Sequence, residues 1–252
     1  MRKIFTHNPV LSCFIFTFIL IAILHSSEII LPIDNRLNYI IIESVFIILI
    51  LVLIKYMKIT YVLQFNYPAF IKGLKMSWYV FVLAIINLLL SNSGVAFNNL
   101  TIKILLLLIV TNLIVGFFEE IICRGFIFTL LLKKYTPLKA AVISSLIFAF
   151  AHVFNYFNAP FLGTTSQIIY AFFFGICFSS IFYITKNIWS IALAHGVVDL
   201  ASHLTTYGTT NSTNDATLLG ALITIIISIP LLIIGLRNFK KANKQSTRVY
   251  IN

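Results

Sequence analysis

The sequence is poor in charged residues, and acidic residues are the scarcest of them. Only 7 of the 252 residues are Asp or Glu, charged residues make up 10% of the chain, and hydrophobic residues make up 60%. A soluble domain carries about 25% charged residues and lacks long uninterrupted apolar runs. These deficits argue against a soluble globular protein, and we predict an integral membrane protein.

Cysteine is also scarce, and no Pro/Gly-rich linker divides the chain. The three cysteines, Cys13, Cys123 and Cys177, lie inside apolar segments without CxxC or Cys/His spacing. This arrangement argues against a disulfide framework or a thiolate zinc site. The net charge of +11 does not indicate nucleic-acid binding, because the basic residues form short clusters between apolar runs, where they act as topology signals.

Apolar runs long enough to cross a bilayer recur along the chain. The fold class we predict is all-α: a polytopic membrane helix bundle with about eight transmembrane helices. The predicted spans are Val10 to Leu24, Tyr39 to Ile54, Met76 to Leu90, Ile102 to Leu132, Leu138 to Phe154, Gln167 to Ile184, Ile188 to Leu204 and Ala216 to Leu236.

The basic residues predict the orientation of this bundle. With these spans, fifteen of the 18 Lys and Arg residues fall on one side of the membrane. Both termini should therefore be cytoplasmic. Residues 1–99 would form the N-terminal transmembrane helices, with an interfacial segment at 58–75 where lysines mix with aromatic residues. Residues 205–252 would form the last transmembrane helix and a basic cytoplasmic tail.

Four of the few acidic residues fall inside predicted spans: Glu43, Glu119, Glu120 and Asp199. An ionisable group in hydrocarbon costs about 2.5 to 3.5 kcal/mol on insertion scales, so each one needs a partner or a wet cavity. Glu43 lies near the outer end of its span, where it could extend to the interface, and we expect a structural role for it. The other three are candidates for function.

The stretch GFFEEIICRGF, residues 116–126, contains a carboxylate pair and an arginine. Glu120 and Arg124 are four residues apart, so a helix places them on one face as an ion pair. Glu119 is rotated about 100° from Glu120 and remains free to act chemically.

Two later spans carry histidines at a similar predicted depth. His152 follows Phe148 by one helical turn, and His195 precedes Asp199 by one turn. A carboxylate beside a histidine in a dry cavity can take a proton from water, while a second imidazole stabilises the oxyanion formed on a peptide carbonyl. Alternatively, His152, His195 and Glu119 could bind zinc. Either alternative gives hydrolysis inside the membrane.

These residues form three ordered motifs on successive apolar segments: Glu119-Glu120-x-x-x-Arg124, Phe148-x-x-x-His152 and His195-x-x-x-Asp199. The motifs and their order resemble those of the CPBP family of intramembrane proteases, also called the ABI family. This family covers CAAX prenyl proteases and bacteriocin-processing or bacteriocin-immunity proteins. The resemblance implies a catalytic core at residues 100–204.

The resemblance also implies a role for each motif position. Glu119 would be the general base with His152 assisting, His195 and Asp199 would stabilise the oxyanion, and Glu120, Arg124 and Phe148 would orient the site. Cys123 stands where the family often has an aromatic residue, and Asp199 where asparagine is also common. The aspartate keeps the zinc alternative open.

The resemblance implies a membrane-embedded or lipidated peptide or protein as substrate, and a multi-pass protein of a bacterial cell membrane fits the composition. The motifs HExxH, GxSG and GxGD, which other intramembrane proteases carry, are absent.

One alternative is a non-enzymatic membrane scaffold or a bacteriocin self-immunity protein with the same fold. A proton-coupled transporter is another, but no repeated pair of interrupted helices supports it. We expect a structural or interfacial role for His203, near the end of its span.

Overall fold

The computed structural model describes residues 5, 7–30, 35–90, 100–207 and 217–249. Within these ranges the chain is helical, with short connections and no strand. We number the helices α1 (Pro9–Ile30), α2 (Asn35–Tyr56), α3 (Tyr67–Met76), α4 (Trp78–Leu90), α5 (Ile102–Glu120), α6 (Pro137–Ala151), α7 (Phe161–Thr185), α8 (Ile188–Thr206) and α9 (Leu218–Val249). Each of the eight predicted spans overlaps one of these helices, and α3 lies almost entirely outside them.

Four of these helical segments are long and apolar enough to cross a membrane: Ile102–Leu131, Pro137–Phe157, Phe161–Thr185 and Leu218–Lys244. The α3–α4 pair makes a fifth if the two helices, bent by 52°, count as one span. The protein is therefore an integral membrane protein built from helices. The number of eight crossings and the orientation of the termini stay predictions.

Local signals explain where several helices begin. The Asn66 side chain caps α3 by accepting from the Ala69 N–H, and Asn187 caps α8 by accepting from the Ser190 N–H. Pro137 occupies the first turn of α6, where its missing N–H leaves no hydrogen bond unmade. Lys186 ends α7 in the left-handed conformation, with φ of 53°. Only Lys186 and Asn187 therefore connect α7 to α8.

The 58–75 segment, predicted as interfacial, contains a short 3₁₀ helix at Thr60–Leu63 followed by α3. A Cβ on Gly73 of α3 would lie within 2.6 Å of the Ser190 Cβ in α8, so the two helices are in close contact. The Trp189 Nε1–H of α8 donates to the Leu63 carbonyl at 3.1 Å. The segment thus fixes the first turn of α8, whose later turns carry His195 and Asp199.

The core lies where α5, α6, α7 and α8 meet. α8 packs along α5, and α7 packs between α6 and α9. Buried residues on these helices include many aromatic side chains, such as Phe126, Phe128 and Phe178. Outward-facing Leu and Ile side chains on α1, α2 and α9 are exposed, as expected where lipid rather than water surrounds the bundle.

Candidate active site

The EExxxR motif lies where α5 changes its helical register. Glu119 and Glu120 end α5, and residues Ile121–Phe128 continue it as a π-helix. The wider turn changes the carbonyl pairing, and hydroxyl groups bond two of the carbonyls: Thr129 Oγ1 donates to Arg124 O at 3.0 Å and Ser144 Oγ donates to Cys123 O at 2.9 Å. Such π-turns within helices are frequent at functional sites. The sequence predicted a long helix here but not this change of register.

Glu120 and Arg124 form the expected ion pair. Arg124 Nη1 donates to Glu120 Oε1 at 2.7 Å, and neither side chain has any exposed surface. The guanidinium carbon also lies 4.7 Å from the centre of the Phe148 ring, a cation–π distance. Phe148 therefore packs against the ion pair, and the orienting role that the resemblance implies for it stays a prediction.

His195 lies between three carboxylates. Its Nδ1 is 2.8 Å from Glu120 Oε1, while its Nε2 is 3.3 Å from Glu119 Oε2 and 3.5 Å from Asp199 Oδ2. Glu120 thus contacts both Arg124 and His195 through one oxygen. Since an N–H on each nitrogen would face a carboxylate, the arrangement favours an imidazolium that donates from both sides.

The Glu120–His195 contact corrects the geometry expected from the motifs. Helical spacing placed Asp199 one turn from His195 and paired Glu120 with Arg124. The shortest contact of His195 is instead with Glu120, 75 residues earlier in the chain. Helical spacing could not reveal this contact, because it depends on how α5 and α8 are rotated against each other.

Aromatic rings surround the imidazole. The ring centres of Phe148, Phe178 and Phe174 lie 6.1, 5.7 and 6.4 Å from that of His195. Phe148 also contacts His152, with ring centres 5.1 Å apart. These rings keep water away from the buried side of His195, which strengthens its interactions with the carboxylates.

The candidate residues open into one cavity of about 780 Å³ between α1, α2, α5, α6, α7 and α8. Glu119, His152, His195 and Asp199 all line it, as expected from their similar predicted depth. Glu119 and Asp199 keep 26% and 29% of their side-chain surface exposed, whereas Glu120 and Arg124 are sealed behind the wall. The two adjacent glutamates therefore have different environments.

Glu43 was placed wrongly by the sequence argument. Its predicted position near the end of a span suggested that its side chain extends to the interface. Glu43 is instead only 6% exposed, and its side chain lines the same cavity as Glu119. Its Oε2 makes no hydrogen bond to the residues that the structure describes. α2 packs against α5, and this packing turns Glu43 inward.

His203 also lines the cavity, but it is held by a neutral partner. Its Nδ1 lies 2.6 Å from Asn112 Oδ1, and the Asn112 amide donates to the Leu108 carbonyl at 2.8 Å. The contact ties the end of α8 to α5, which agrees with the structural role expected for His203.

Two glycines let α5 and α8 approach this closely. A Cβ on Gly116 would lie 2.6 Å from the Gly196 nitrogen and 2.8 Å from the Ala192 oxygen, and a Cβ on Gly196 would lie 2.8 Å from the Asn112 oxygen. Only a residue without a Cβ fits such a backbone contact. The crossing places Glu119 and Glu120 beside His195.

The zinc alternative requires three ligands at bonding distance. Within the described ranges, no three His, Cys, Asp or Glu side chains are grouped so that they could hold a metal ion. His195 Nδ1 is already bonded to Glu120, so only its Nε2 could serve as a ligand. The residues as placed do not fit a zinc ion, and zinc binding stays a prediction.

Comparison with known proteins supports the interpretation of the motifs. Residues 101–201 match the family model for the type II CAAX prenyl endopeptidase Rce1-like group. No curated protein matches the chain. The matched segment contains the whole of the Glu119, His152 and His195 motifs, whereas Glu43 lies outside it. The segment at residues 101–201 of this membrane protein therefore matches a family of CAAX-type proteases, in agreement with the resemblance carried by the three ordered motifs.

Proposed function

We propose that the protein is an intramembrane endopeptidase that hydrolyses a peptide bond of a membrane-associated peptide or protein. The observation that carries the proposal is the placement of His195, with Glu120 on one nitrogen and Glu119 and Asp199 on the other, at the wall of a cavity. A partly exposed carboxylate beside a charged imidazole supplies both a base and an electrophile.

Glu119 is the proposed general base. In the first step its carboxylate takes a proton from a water molecule as the water oxygen attacks the carbonyl carbon of the peptide bond. His152 assists, since it lines the same cavity and its ring can hold the water in place. Base catalysis of this kind contributes about 10²- to 10⁴-fold to a rate.

His195 is the proposed electrophile. The attack places negative charge on the former carbonyl oxygen, and the Nε2–H of the imidazolium donates to it, while Glu120 holds Nδ1 and so fixes the ring. Asp199, 3.5 Å from Nε2, favours the protonated form. When the C–N bond breaks, the protonated Glu119 returns its proton to the leaving amine, and the carboxylate is regenerated.

The fold and the composition support a proposal for where the reaction takes place. We infer eight membrane crossings with both termini in the cytoplasm, because eight helices coincide with the predicted spans and the basic residues cluster on one side. We place the protein in a bacterial cell membrane on the basis of its composition, and its substrate is a membrane-embedded or lipidated peptide or protein.

The test compares the termini of membrane peptides in cells that make the wild-type protein or Glu119→Gln. We expect at least one peptide to be cleaved only with the wild type, because the amide cannot take a proton from water. Thr111→Val is the matched control, since Thr111 lines the same cavity without a charge. The variants must accumulate equally in the membrane.

Cleavage that is unchanged in Glu119→Gln would refute the protease proposal. If the biological activity of the protein persists in Glu119→Gln and no peptide differs between the strains, the non-enzymatic scaffold or self-immunity alternative is supported instead.

A further inference from the structure

The charges that line the cavity are unbalanced. Glu43, Glu119 and Asp199 contribute carboxyl groups, and no lysine or arginine is among the described residues that line it. Arg124 does not compensate for them, because it is sealed behind the wall and already paired with Glu120. Three histidines line it too, but His195 lies beside Glu119 and Asp199 and His203 lies beside Asn112, whereas Glu43 forms no ion pair with a described residue.

Glu43 is the carboxyl group that the catalytic arrangement leaves unused. The residue is only 6% exposed, its Oε2 makes no hydrogen bond to the described residues, and its side chain lines the same cavity as Glu119 and Asp199. A buried carboxyl group without a partner is unfavourable, and like charges nearby add to this. A positively charged group of a ligand would provide the missing partner.

The rest of the wall limits what such a ligand can be. Apolar side chains form the larger part of the lining, including Leu20, Leu108 and Phe174, and polar side chains form the rest. The volume of about 780 Å³ falls within the range of about 300 to 1,000 Å³ that is usual for ligand cavities. The cavity therefore fits an apolar segment with several side chains and one charged group.

We propose that the cavity selects a membrane peptide with a lysine or arginine side chain close to the bond that is cleaved, and that Glu43 binds this side chain. The proposal rests on the proposed protease function and specifies its substrate class. A peptide that presents its C-terminal carboxylate at this place would add a negative charge to Glu43, Glu119 and Asp199, and is disfavoured. Glu43 thereby determines specificity from outside the matched segment.

The test uses apolar Leu/Ala peptides, acetylated and amidated so that their termini carry no charge, in vesicles of phosphatidylcholine. The peptides differ at one residue, which is lysine, norleucine or glutamate, and a set of peptides moves this residue along the sequence. Cleavage by the wild-type protein is followed by mass spectrometry. Binding is measured separately with Glu119→Gln, which does not cleave.

At the best position, we expect the lysine peptide to be preferred over the norleucine peptide by about tenfold or more, as for a hydrogen bond to a charged group. The glutamate peptide should be the poorest. In Glu43→Gln the ratio of lysine to norleucine should fall towards one, and in Thr111→Val it should stay as in the wild type. Thermal unfolding of each variant shows whether it is folded.

The outcomes separate this proposal from the one it rests on. If all peptides are cleaved without preference, or if the lysine preference persists in folded Glu43→Gln, the specificity proposal is wrong and the protease proposal stands. It is also possible to test binding without cleavage. If no peptide is cleaved but the lysine peptide binds more tightly than the norleucine peptide and loses this advantage in Glu43→Gln, the role of Glu43 in binding stands and the protease proposal does not. Absence of any preferential binding or cleavage overturns it.

Discussion

The contact between α5 and α8 should be sensitive to a single methyl group at Gly116. In Gly116→Ala the new Cβ would lie 2.6 Å from the Gly196 nitrogen, whereas ordinary contacts begin at 3.4 Å. The obstacle is backbone, which cannot rotate away as a side chain does. The helices must therefore separate by about 0.8 Å at this point, and overpacking of this kind costs about 1 to 3 kcal/mol.

The separation should also open the site. Glu120 lies four residues after Gly116, and His195 directly precedes Gly196, so their hydrogen bond of 2.8 Å spans the same contact. Lengthening it by the same amount gives about 3.6 Å, which is no longer a hydrogen bond. A misplacement of about 1 Å is enough to lower a catalytic rate about 10²-fold. We expect cleavage to fall by about that factor.

Two measurements check this. Thermal unfolding in detergent should show a lower Tm, by about 2 to 4 °C for each kcal/mol. Trp189 of α8 stacks on Phe117 of α5, with ring centres 4.9 Å apart, so its fluorescence reports the separation directly in a Trp78→Phe background. Gly220→Ala is the control, because there the nearest atom is a threonine side-chain oxygen at 3.2 Å.

The reasoning would be refuted if Gly116→Ala unfolded at the same temperature as the Gly220 control and kept the Trp189 emission of the wild type. A lower Tm with unchanged emission and unchanged cleavage would show that the helices accommodate the methyl group without moving the site.

Two other changes test the buried pair and the metal. Arg124→Leu should lower the free energy of unfolding by about 3 to 5 kcal/mol, because it leaves Glu120 buried without its guanidinium. Adding Glu120→Gln removes the unpaired charge while an amide oxygen can still accept from His195 Nδ1, and should restore much of this loss. Equal instability of the single and double variants in thermal unfolding would contradict it. Cleavage should survive long dialysis against EDTA, because no three His, Cys, Asp or Glu side chains in the ranges that the structure covers are grouped so that they could hold a metal ion. Cleavage that is lost on dialysis and restored by Zn²⁺ would support the zinc alternative.

The sequence predicts what lies along one helix and fails for what lies between helices. The Glu120–Arg124 pair follows from a spacing of four residues, and the pair is present. The Glu120–His195 bond joins residues 75 positions apart, so no periodicity indicates it. The glycines that permit it were visible in the sequence, but two glycines on different spans do not reveal that they face each other.

The orientation of Glu43 also depends on packing between helices, which the sequence does not reveal. Its depth along α2 could be estimated from the length of the apolar run, yet depth alone does not tell whether a side chain points to lipid, to the interface or into the bundle. The packing of α2 against α5 decides this. The π-helix at Ile121–Phe128 was equally hidden, because no residue type specifies it and the hydroxyl groups that bond its carbonyls come from Thr129 and from Ser144 on another helix.

The distribution of charge bears on whether this cavity serves catalysis or only the fold. Stability alone would explain the sealed Glu120–Arg124 pair, whose two charges neutralise each other. It does not explain why three carboxyl groups, Glu43, Glu119 and Asp199, share one cavity in which His195 is placed between only two of them and no lysine or arginine is among the described lining residues. Such a cluster destabilises the folded protein, and arrangements that lower stability are concentrated at sites where chemistry needs them. Under the two proposals together each of these carboxyl groups has a role, since Glu119 would transfer the proton, Asp199 would favour the imidazolium, and Glu43 would bind the positive charge of the substrate.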